Sequence, residues 1–186
     1  MVRPEVARVA AALAGGELSC EGLAARRVAA LLGKTTGALY HHFGSLDRFL
    51  YEVAQHGWRL VAAELAPRLS EPPEELAEAW LRWVFAHPEL YRLMADHPFH
   101  WARLRDAGAF DTEGPALGLF DALVARLALA GSPSPPDDAR AIQAVLQGLA
   151  SLALSGRANV REVDTPDEEV AVRVARHAVS RLARSS

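Results

Sequence analysis

Aromatic and histidine side chains are concentrated between residues 80 and 101, and they are the side chains of this sequence best suited to bind a small molecule. Trp80, Trp83 and His87 are spaced i, i+3 and i+7, which places them on one face of a helix. Tyr91 and Met94 follow in the next segment. Such a stripe occurs more often in a packed core, but it is also typical of an apolar pocket in which a histidine or tyrosine supplies one polar contact.

A metal site is the alternative chemistry for the same segment. Asp96, His97 and His100 could act with His87 as ligands for zinc, since two histidines spaced i, i+3 on a helix have workable geometry. Pro98 interrupts the run, however, and large aromatic residues flank His100, so we predict no metal site and leave metal sensing open as the alternative. The sequence contains no Gly-rich phosphate loop and no Ser/His/Asp motif, so no catalytic residue, cofactor or enzyme activity is predicted.

The composition indicates an ordinary globular chain, with 51% hydrophobic and 23% charged residues. There is no run of about 18 apolar residues to span a membrane, and the first residues lack the apolar core of a signal peptide. Cys20 is the single cysteine, which excludes an internal disulfide. We therefore expect a cytoplasmic protein. Residues 1–50 contain six basic and four acidic side chains while the rest of the chain is net negative, which suits an N-terminal segment that binds nucleic acid.

The hydrophobic period indicates an all-α fold, because apolar residues recur at helical spacing and no strand-like alternation is sustained. A long fourth helix is predicted to be capped by Ser45 and ended by Pro67. The other helices are predicted at 4–14, 23–32, 36–42, 73–86, 88–96, 98–106, 115–130, 137–155 and 167–183. We divide the chain into a three-helix head, residues 1–48, and a helical body, residues 49–186.

The second and third predicted helices have the pattern of a helix-turn-helix. Ala29 and Gly33 are four residues apart; the alanine lets the helices approach closely, and the glycine can adopt the left-handed conformation that ends a helix. Thr35 is placed to cap the third helix through its hydroxyl. Two short helices joined in this way can insert the second into the DNA major groove. The spacing alone also fits a helical hairpin that does not bind DNA.

The residue sequence of this segment is more specific than its spacing. Residues 21–45, and above all GALYHHF at 37–43, closely resemble the DNA-binding head of the tetracycline-repressor (TetR) family. The resemblance covers residues 4–60 well and extends more loosely to HPELYRLM at 87–94. It implies a helix-turn-helix head on a body that binds a ligand and forms a dimer.

The resemblance implies two kinds of DNA contact in the head: residues that open the recognition helix face base edges, while a tyrosine hydroxyl and nearby cations hold phosphates. The predicted DNA-binding residues are Arg26, Lys34, Thr35, Thr36, Gly37, Ala38, Tyr40, His41 and Arg48. We expect His42 and Phe43 to close the core of the head instead.

Three positions depart from the family's pattern. Ala24 replaces a capping Ser or Thr, Lys34 replaces an aliphatic residue in the turn, and Leu46 replaces a lysine. The lost phosphate contacts predict modest non-specific affinity and a shallow dependence on salt.

The resemblance further implies that the aromatic helices of the body surround a cavity for a small, mostly apolar effector, which favours the pocket interpretation. The predicted ligand-binding residues are Trp58, Trp80, Trp83, His87, Tyr91, Met94 and Trp101. A ligand among these side chains is predicted to act on the head through the long fourth helix.

The last two predicted helices suit a dimer interface, with intrachain packing as the alternative. Small residues form a ridge on the first of them, at Ala144, Gly148, Ser151 and Ser155. Glycine inside a helix costs about 1 kcal/mol relative to alanine, so we infer that Gly148 serves a close helix contact. The resemblance implies that these helices pair as a four-helix bundle, and a two-fold dimer would place its heads on DNA half-sites about 34–36 Å apart.

The sequence therefore predicts a ligand-responsive transcriptional repressor that binds a palindromic, double-stranded DNA operator as a homodimer. A ligand-independent DNA-binding regulator, or an activator with the same head, is the alternative.

Overall fold

The structure, a computed structural model, describes residues 2–106, 108, 114–159 and 164–183. Within these residues it contains ten α-helices and no strand, which confirms the all-α class. In chain order they are α1 (Pro4–Ala14), α2 (Ala25–Leu31), α3 (Thr36–Phe43), α4 (Leu46–Leu65), α5 (Pro73–Ala86), α6 (Pro88–Ala95), α7 (Trp101–Asp106), α8 (Pro115–Leu129), α9 (Pro135–Leu154) and α10 (Asp167–Leu182). None of the helices in these ranges has both the length and the apolar character needed to cross a membrane.

Prolines determine several helix starts. Five helices, α1, α5, α6, α8 and α9, begin at a proline, which fits the first turn because an N–H there has no partner within the helix. The predicted start of α9 at residue 137 was wrong for this reason, since both Pro135 and Pro136 belong to the helix. The predicted start of α7 at residue 98 was also wrong. The amides of Phe99 and Trp101 instead donate to carbonyls two residues earlier, and α7 begins only at Trp101.

The chain forms two compact units. The first comprises Met1–Leu60 and His87–Ala116, and the second comprises Val61–Ala86 and Leu117–Ser186. The first unit thus contains α1–α3, α6, α7 and most of α4, whereas the second contains α5, α8–α10 and the end of α4. The predicted boundary at residue 48 separates a DNA-binding head from a ligand-binding body by function and not by contacts, and it stays a prediction.

In the first unit, α6 packs against α1 and α4. The largest fully buried side chains of the first unit are Leu13, Leu39, Phe49, Leu50, Leu90, Leu93 and Leu104. The approach of α4 to α6 is closest at Gly57, where an added Cβ atom would lie 2.5 Å from Met94 Sδ and 3.3 Å from Leu90 Cδ1. Glycine at position 57 therefore allows the two helices to cross in contact.

In the second unit, α10 packs along α5 and α9. Its core contains Ala77, Leu127, Ala139, Ile142 and Val179. At the surface, Arg176 of α10 donates hydrogen bonds to Glu75 and Glu78 of α5, and Arg82 donates to Glu78 as well. The Arg176 and Arg82 guanidinium groups lower the pKa of the Glu78 carboxyl below its ordinary value.

Candidate DNA interface and effector-binding residues

The helix-turn-helix is built from α2, a glycine turn and α3. Val28 and Ala29 of α2 and Leu39 of α3 are buried, so these side chains hold the two helices together. Gly33 has φ +63°, the left-handed conformation predicted for the end of α2. The Thr35 hydroxyl caps α3 by accepting a hydrogen bond from the Ala38 amide at 3.2 Å. The local geometry predicted for this segment is therefore present.

The face of α3 opposite its buried residues is open to solvent. Tyr40 is 46% exposed, and Gly37 and His41 are exposed beside it. Thr36 and Ala38 are partly buried. The space beside Gly37 is nearly empty, because an added Cβ atom there would meet only the Thr35 hydroxyl oxygen, at 3.8 Å. The glycine is thus not required by internal packing, and the exposed face leaves room for another molecule to approach the backbone.

The cations predicted to hold phosphates differ in their surroundings. Arg26 is exposed on α2. Lys34 Nζ lies 2.6 Å from the Glu5 carboxylate of α1, and this hydrogen bond lowers the pKa of Glu5. Arg48 lies 3.9 Å from Glu52 on the next turn of α4. A phosphate bound by Lys34 or Arg48 would therefore compete with a carboxylate of the chain itself.

The expectation that His42 closes the core of the head was wrong, because this residue is exposed. Phe43 alone fills that place: it is buried, and its ring meets that of Phe49 edge to face at 4.6 Å. The guanidinium of Arg3 lies over the Phe43 ring, 4.8 Å from its centre, and its Nη1 donates to the His42 carbonyl oxygen at 3.3 Å. The His42 ring lies outside, against that of His41.

The first turn of α6 contacts the segment that precedes α2. The Cys20 amide donates to the Glu89 carboxylate at 2.7 Å, and Arg92 pairs with the same carboxylate. Burial alone would raise the pKa of Glu89, but the Cys20 amide, the Ser19 hydroxyl and Arg92 together hold it below its ordinary value. We did not predict a role for Glu89, because no local sequence pattern relates positions 69 residues apart.

A second contact joins α6 to the end of α1. His87 Nδ1 lies 3.3 Å from the Ala14 carbonyl oxygen, a distance at which the ring nitrogen donates to the carbonyl. Since His87 is also among the predicted ligand-binding residues, one of its two ring nitrogens is already engaged within the protein.

The predicted ligand-binding residues belong to both compact units. Trp58, His87, Tyr91, Met94 and Trp101 lie in the first unit, and Trp80 and Trp83 lie in the second. Tyr91, Met94 and Trp83 are buried, Trp58, His87 and Trp80 are partly buried, and Trp101 is 47% exposed. Their assignment to a ligand remains a prediction.

Buried polar atoms on α4 were missed by the sequence analysis. Gln55 Oε1 and His56 Nδ1 are inaccessible to solvent and have no hydrogen-bond partner. Burial, together with the neighbouring charge of Arg59, lowers the pKa of His56. The sequence signal was available, since these two polar residues interrupt the apolar residues of α4.

The alternative metal site at His87, Asp96, His97 and His100 is not supported. Across the described ranges, no three His, Cys, Asp or Glu side chains lie close enough together to hold an ion. His97 instead packs against the Phe99 ring at 4.6 Å, and its pKa is lowered by burial.

Comparison with known proteins identifies the family through the body. A family model described as a tetracyclin repressor-like C-terminal domain matches residues 74–179, more than half of the chain. The chain belongs to the TetR family. No curated protein matches the sequence significantly. The family match begins after the head, so the DNA-binding residues of this TetR-family chain are predicted from its head sequence and not from the matched domain.

The matched domain of this TetR-family chain exposes a face of α9 that carries no charge. Residues 141–156 contain no Asp, Glu, Lys or Arg, although Ala144, Gly148, Ser151 and Leu152 are exposed. An added Cβ atom at Gly148 would meet nothing within 4 Å, so no neighbour in the chain requires glycine there. On α10, Val174 is 40% exposed. A surface of this kind suits contact with another protein chain.

Proposed function

We propose that this TetR-family regulator is a transcriptional repressor that binds a palindromic DNA operator as a homodimer and is released by a small, mostly apolar effector. The observation that carries the proposal is the head, where a capped recognition helix presents an exposed face on a closely packed helix-turn-helix.

The solvent face of α3 supports the assignment of DNA contacts. Tyr40 and His41 project polar groups beside the open backbone of Gly37, an arrangement that lets a helix lie deep in the major groove. The Thr35 hydroxyl accepts the capping hydrogen bond, so it has a donor proton and a methyl group left for DNA. Exposed His42 adds a polar side chain at the end of the same helix, beyond those first predicted.

The uncharged face of α9 supports the homodimer. An exposed helix face without charge over four turns can be buried without removing a charged group from water, and small residues allow the equivalent helix of a second copy to approach closely. No contact within the chain requires glycine at position 148, and glycine weakens a helix, so close contact with a partner chain would explain this residue.

Contacts within the first compact unit support a response of the head to an effector. Ser45 directly precedes α4 and caps it, since its Oγ accepts a hydrogen bond from the Arg48 amide at 3.1 Å, and only Gly44 separates this cap from the recognition helix α3. Helix α6 contacts α4 at Gly57 and holds the segment before α2 through Glu89. A displacement of α6 would therefore act on the head from two sides. By thermodynamic linkage, the effector can weaken operator binding only by the difference between its binding free energies to the free and the operator-bound protein, typically about 1–3 kcal/mol.

The experiment that tests the proposal is a selection of bound sequences from random DNA duplexes. We expect an enriched inverted repeat whose half-site centres lie about one helical turn apart. The absence of any enriched sequence would overturn the proposal. If a site is found but no candidate effector reduces binding to it, the alternative of a ligand-independent regulator is favoured. Transcription from a promoter that carries the site, measured with and without the protein, separates a repressor from an activator.

A further inference from the structure

Two polar atoms buried in α4 lack the hydrogen bonds that buried polar groups normally make. Gln55 Oε1 and His56 Nδ1 are both inaccessible to solvent, and neither has a partner in the protein. Most buried polar atoms in folded proteins are hydrogen-bonded, because an unsatisfied one loses its contact with water and gains nothing in return. These two atoms, on adjacent residues of one helix, are therefore free to form hydrogen bonds with a bound molecule.

Aromatic residues lie on either side of Gln55 along one face of α4. Tyr51, Gln55 and Trp58 are spaced i, i+4 and i+7, which places them on one face of α4. The Tyr51 ring lies 5.8 Å from that of Phe99 and 6.1 Å from that of Trp101, both edge to face. Gln55 thus lies between two aromatic residues on this face, and the charged residues Glu52 and Arg59 flank it at i−3 and i+4.

Helix α6 approaches the neighbouring face of α4. It makes contact at Gly57, through Met94 and Leu90. Trp58 follows Gly57 directly in the chain, and Met94 lies against position 57 across this helix crossing. The sequence predicts that both residues bind the ligand.

We propose that Gln55 and His56 form the polar part of the effector site, and that the effector is an uncharged, mostly apolar molecule that carries a hydrogen-bond donor such as a hydroxyl or primary amide. This inference rests on the proposed effector-responsive function and specifies the chemistry of its ligand.

The two atoms restrict the charge of the ligand. A glutamine Oε1 only accepts hydrogen bonds, so it requires a donor and gains nothing from a carboxylate. Burial and the charge of Arg59 lower the pKa of His56, so its ring is neutral at pH 7 and can also accept. The positive charge of Arg59 disfavours a cationic ligand in the same place. Successive side chains diverge around a helix, so a single donor on the ligand can bond to Gln55 Oε1 or to His56 Nδ1. A ligand needs a second polar group to bond to both.

A set of probes with one ring and different head groups tests the inference. The unfolding midpoint of the full chain is measured by differential scanning calorimetry with benzyl alcohol, benzamide, toluene, benzoate or benzylamine. At ten times its dissociation constant, a bound probe raises the midpoint of a chain of this size by roughly 3–6 °C. We expect the alcohol and the amide to give such a rise, and the apolar, anionic and cationic probes to give less.

The double variant Gln55→Met, His56→Phe replaces both polar groups with apolar groups of similar size. We expect it to lose the preference for the alcohol and amide. Without a probe its midpoint should equal or exceed that of the wild type, because no existing hydrogen bond is removed. The matched control is Gln143→Met, His100→Phe, which makes the same changes at exposed positions and should keep the preference.

Four results overturn the inference: no response to any probe, an equal response to toluene or benzoate, a preference that survives in the double variant, or a lowered midpoint of that variant without a probe. Operator binding by the wild type, measured without any probe, tests the proposed function separately. A head-group preference in a chain that binds no DNA would support the polar site and contradict the DNA-binding proposal.

Discussion

Replacing Glu5 with glutamine should release Lys34 from the carboxylate that lies 2.6 Å from its ammonium group. In the wild type a DNA phosphate must compete with Glu5 for Lys34, so binding gains little counterion release at this position. In Glu5→Gln, Lys34 can neutralise one phosphate in each half-site, or two in a dimer. Each neutralised phosphate changes the slope of log affinity against log salt by about −0.9, so we expect the slope to steepen by about 1.8. Dilution from about 200 mM to about 50 mM salt would then increase affinity roughly twelvefold more than in the wild type.

The assay is fluorescence anisotropy of a labelled operator, titrated with protein at several salt concentrations. Lys34→Met alone should leave the slope almost unchanged, whereas Glu5→Gln with Lys34→Met should lose the whole gain. Glu17→Gln removes an exposed carboxylate from the same head and controls for the general loss of negative charge. The partly exposed pair stabilises the fold by only about 0.2–1 kcal/mol, so the variant should remain folded. An unchanged slope in Glu5→Gln, or an equal change in Glu17→Gln, would refute this role of Lys34.

Three further predictions concern the recognition helix, the dimer and acid stability. Tyr40→Phe should weaken binding to all duplexes alike, whereas Thr36→Ala should relax preference at one base position by roughly 1–3 kcal/mol, as competition titrations with single-base variants of the site can measure. Gly148→Leu should stabilise the monomer by about 1 kcal/mol, because leucine has the higher helix propensity. The same change should weaken the dimer by about 1–3 kcal/mol through overpacking. Light scattering that shows an intact dimer would count against the α9 interface. Glu78→Gln should lower the free energy of unfolding at pH 7 by less than about 1 kcal/mol. Because Arg176 lowers the pKa of Glu78 in the folded protein, the difference from the wild type should shrink as pH falls below the ordinary carboxyl pKa of 4.5. A difference that stays constant from pH 7 to pH 3 in denaturant titrations would refute the contribution of the ion pair.

Local chemistry made much of the fold predictable from the sequence. Helical periodicity identified the fold class, and prolines and capping residues placed most helix ends within a few residues. Gly33 and Thr35 behave as their residue types require, one at a left-handed turn and one as a helix cap. These features depend on neighbours within a few positions, which is why a single sequence suffices to predict them.

Contacts between distant segments were not predictable in this way. The exposure of His42 was not predicted, and the contacts of Arg3, the residue before α1, with the Phe43 ring and the His42 carbonyl join segments far apart in the sequence. The pairing of Lys34 with Glu5 and the capping of the Cys20 amide by Glu89 depend on how helices dock, which periodicity does not specify. Periodicity also places Gln55 on a helix without telling whether its amide oxygen has a partner.

The most direct test of the account is the geometry of operator binding. Once an inverted repeat has been selected, its affinity is compared with that of duplexes in which about five or about ten base pairs, half a turn or a full turn, are inserted between the half-sites. Two heads held by one dimer require both half-sites on the same side of the DNA, so the half-turn insertion should abolish specific binding, and two protomers should bind each intact site. Equal affinity for the original and half-turn duplexes, or one protomer bound per site, would contradict the account.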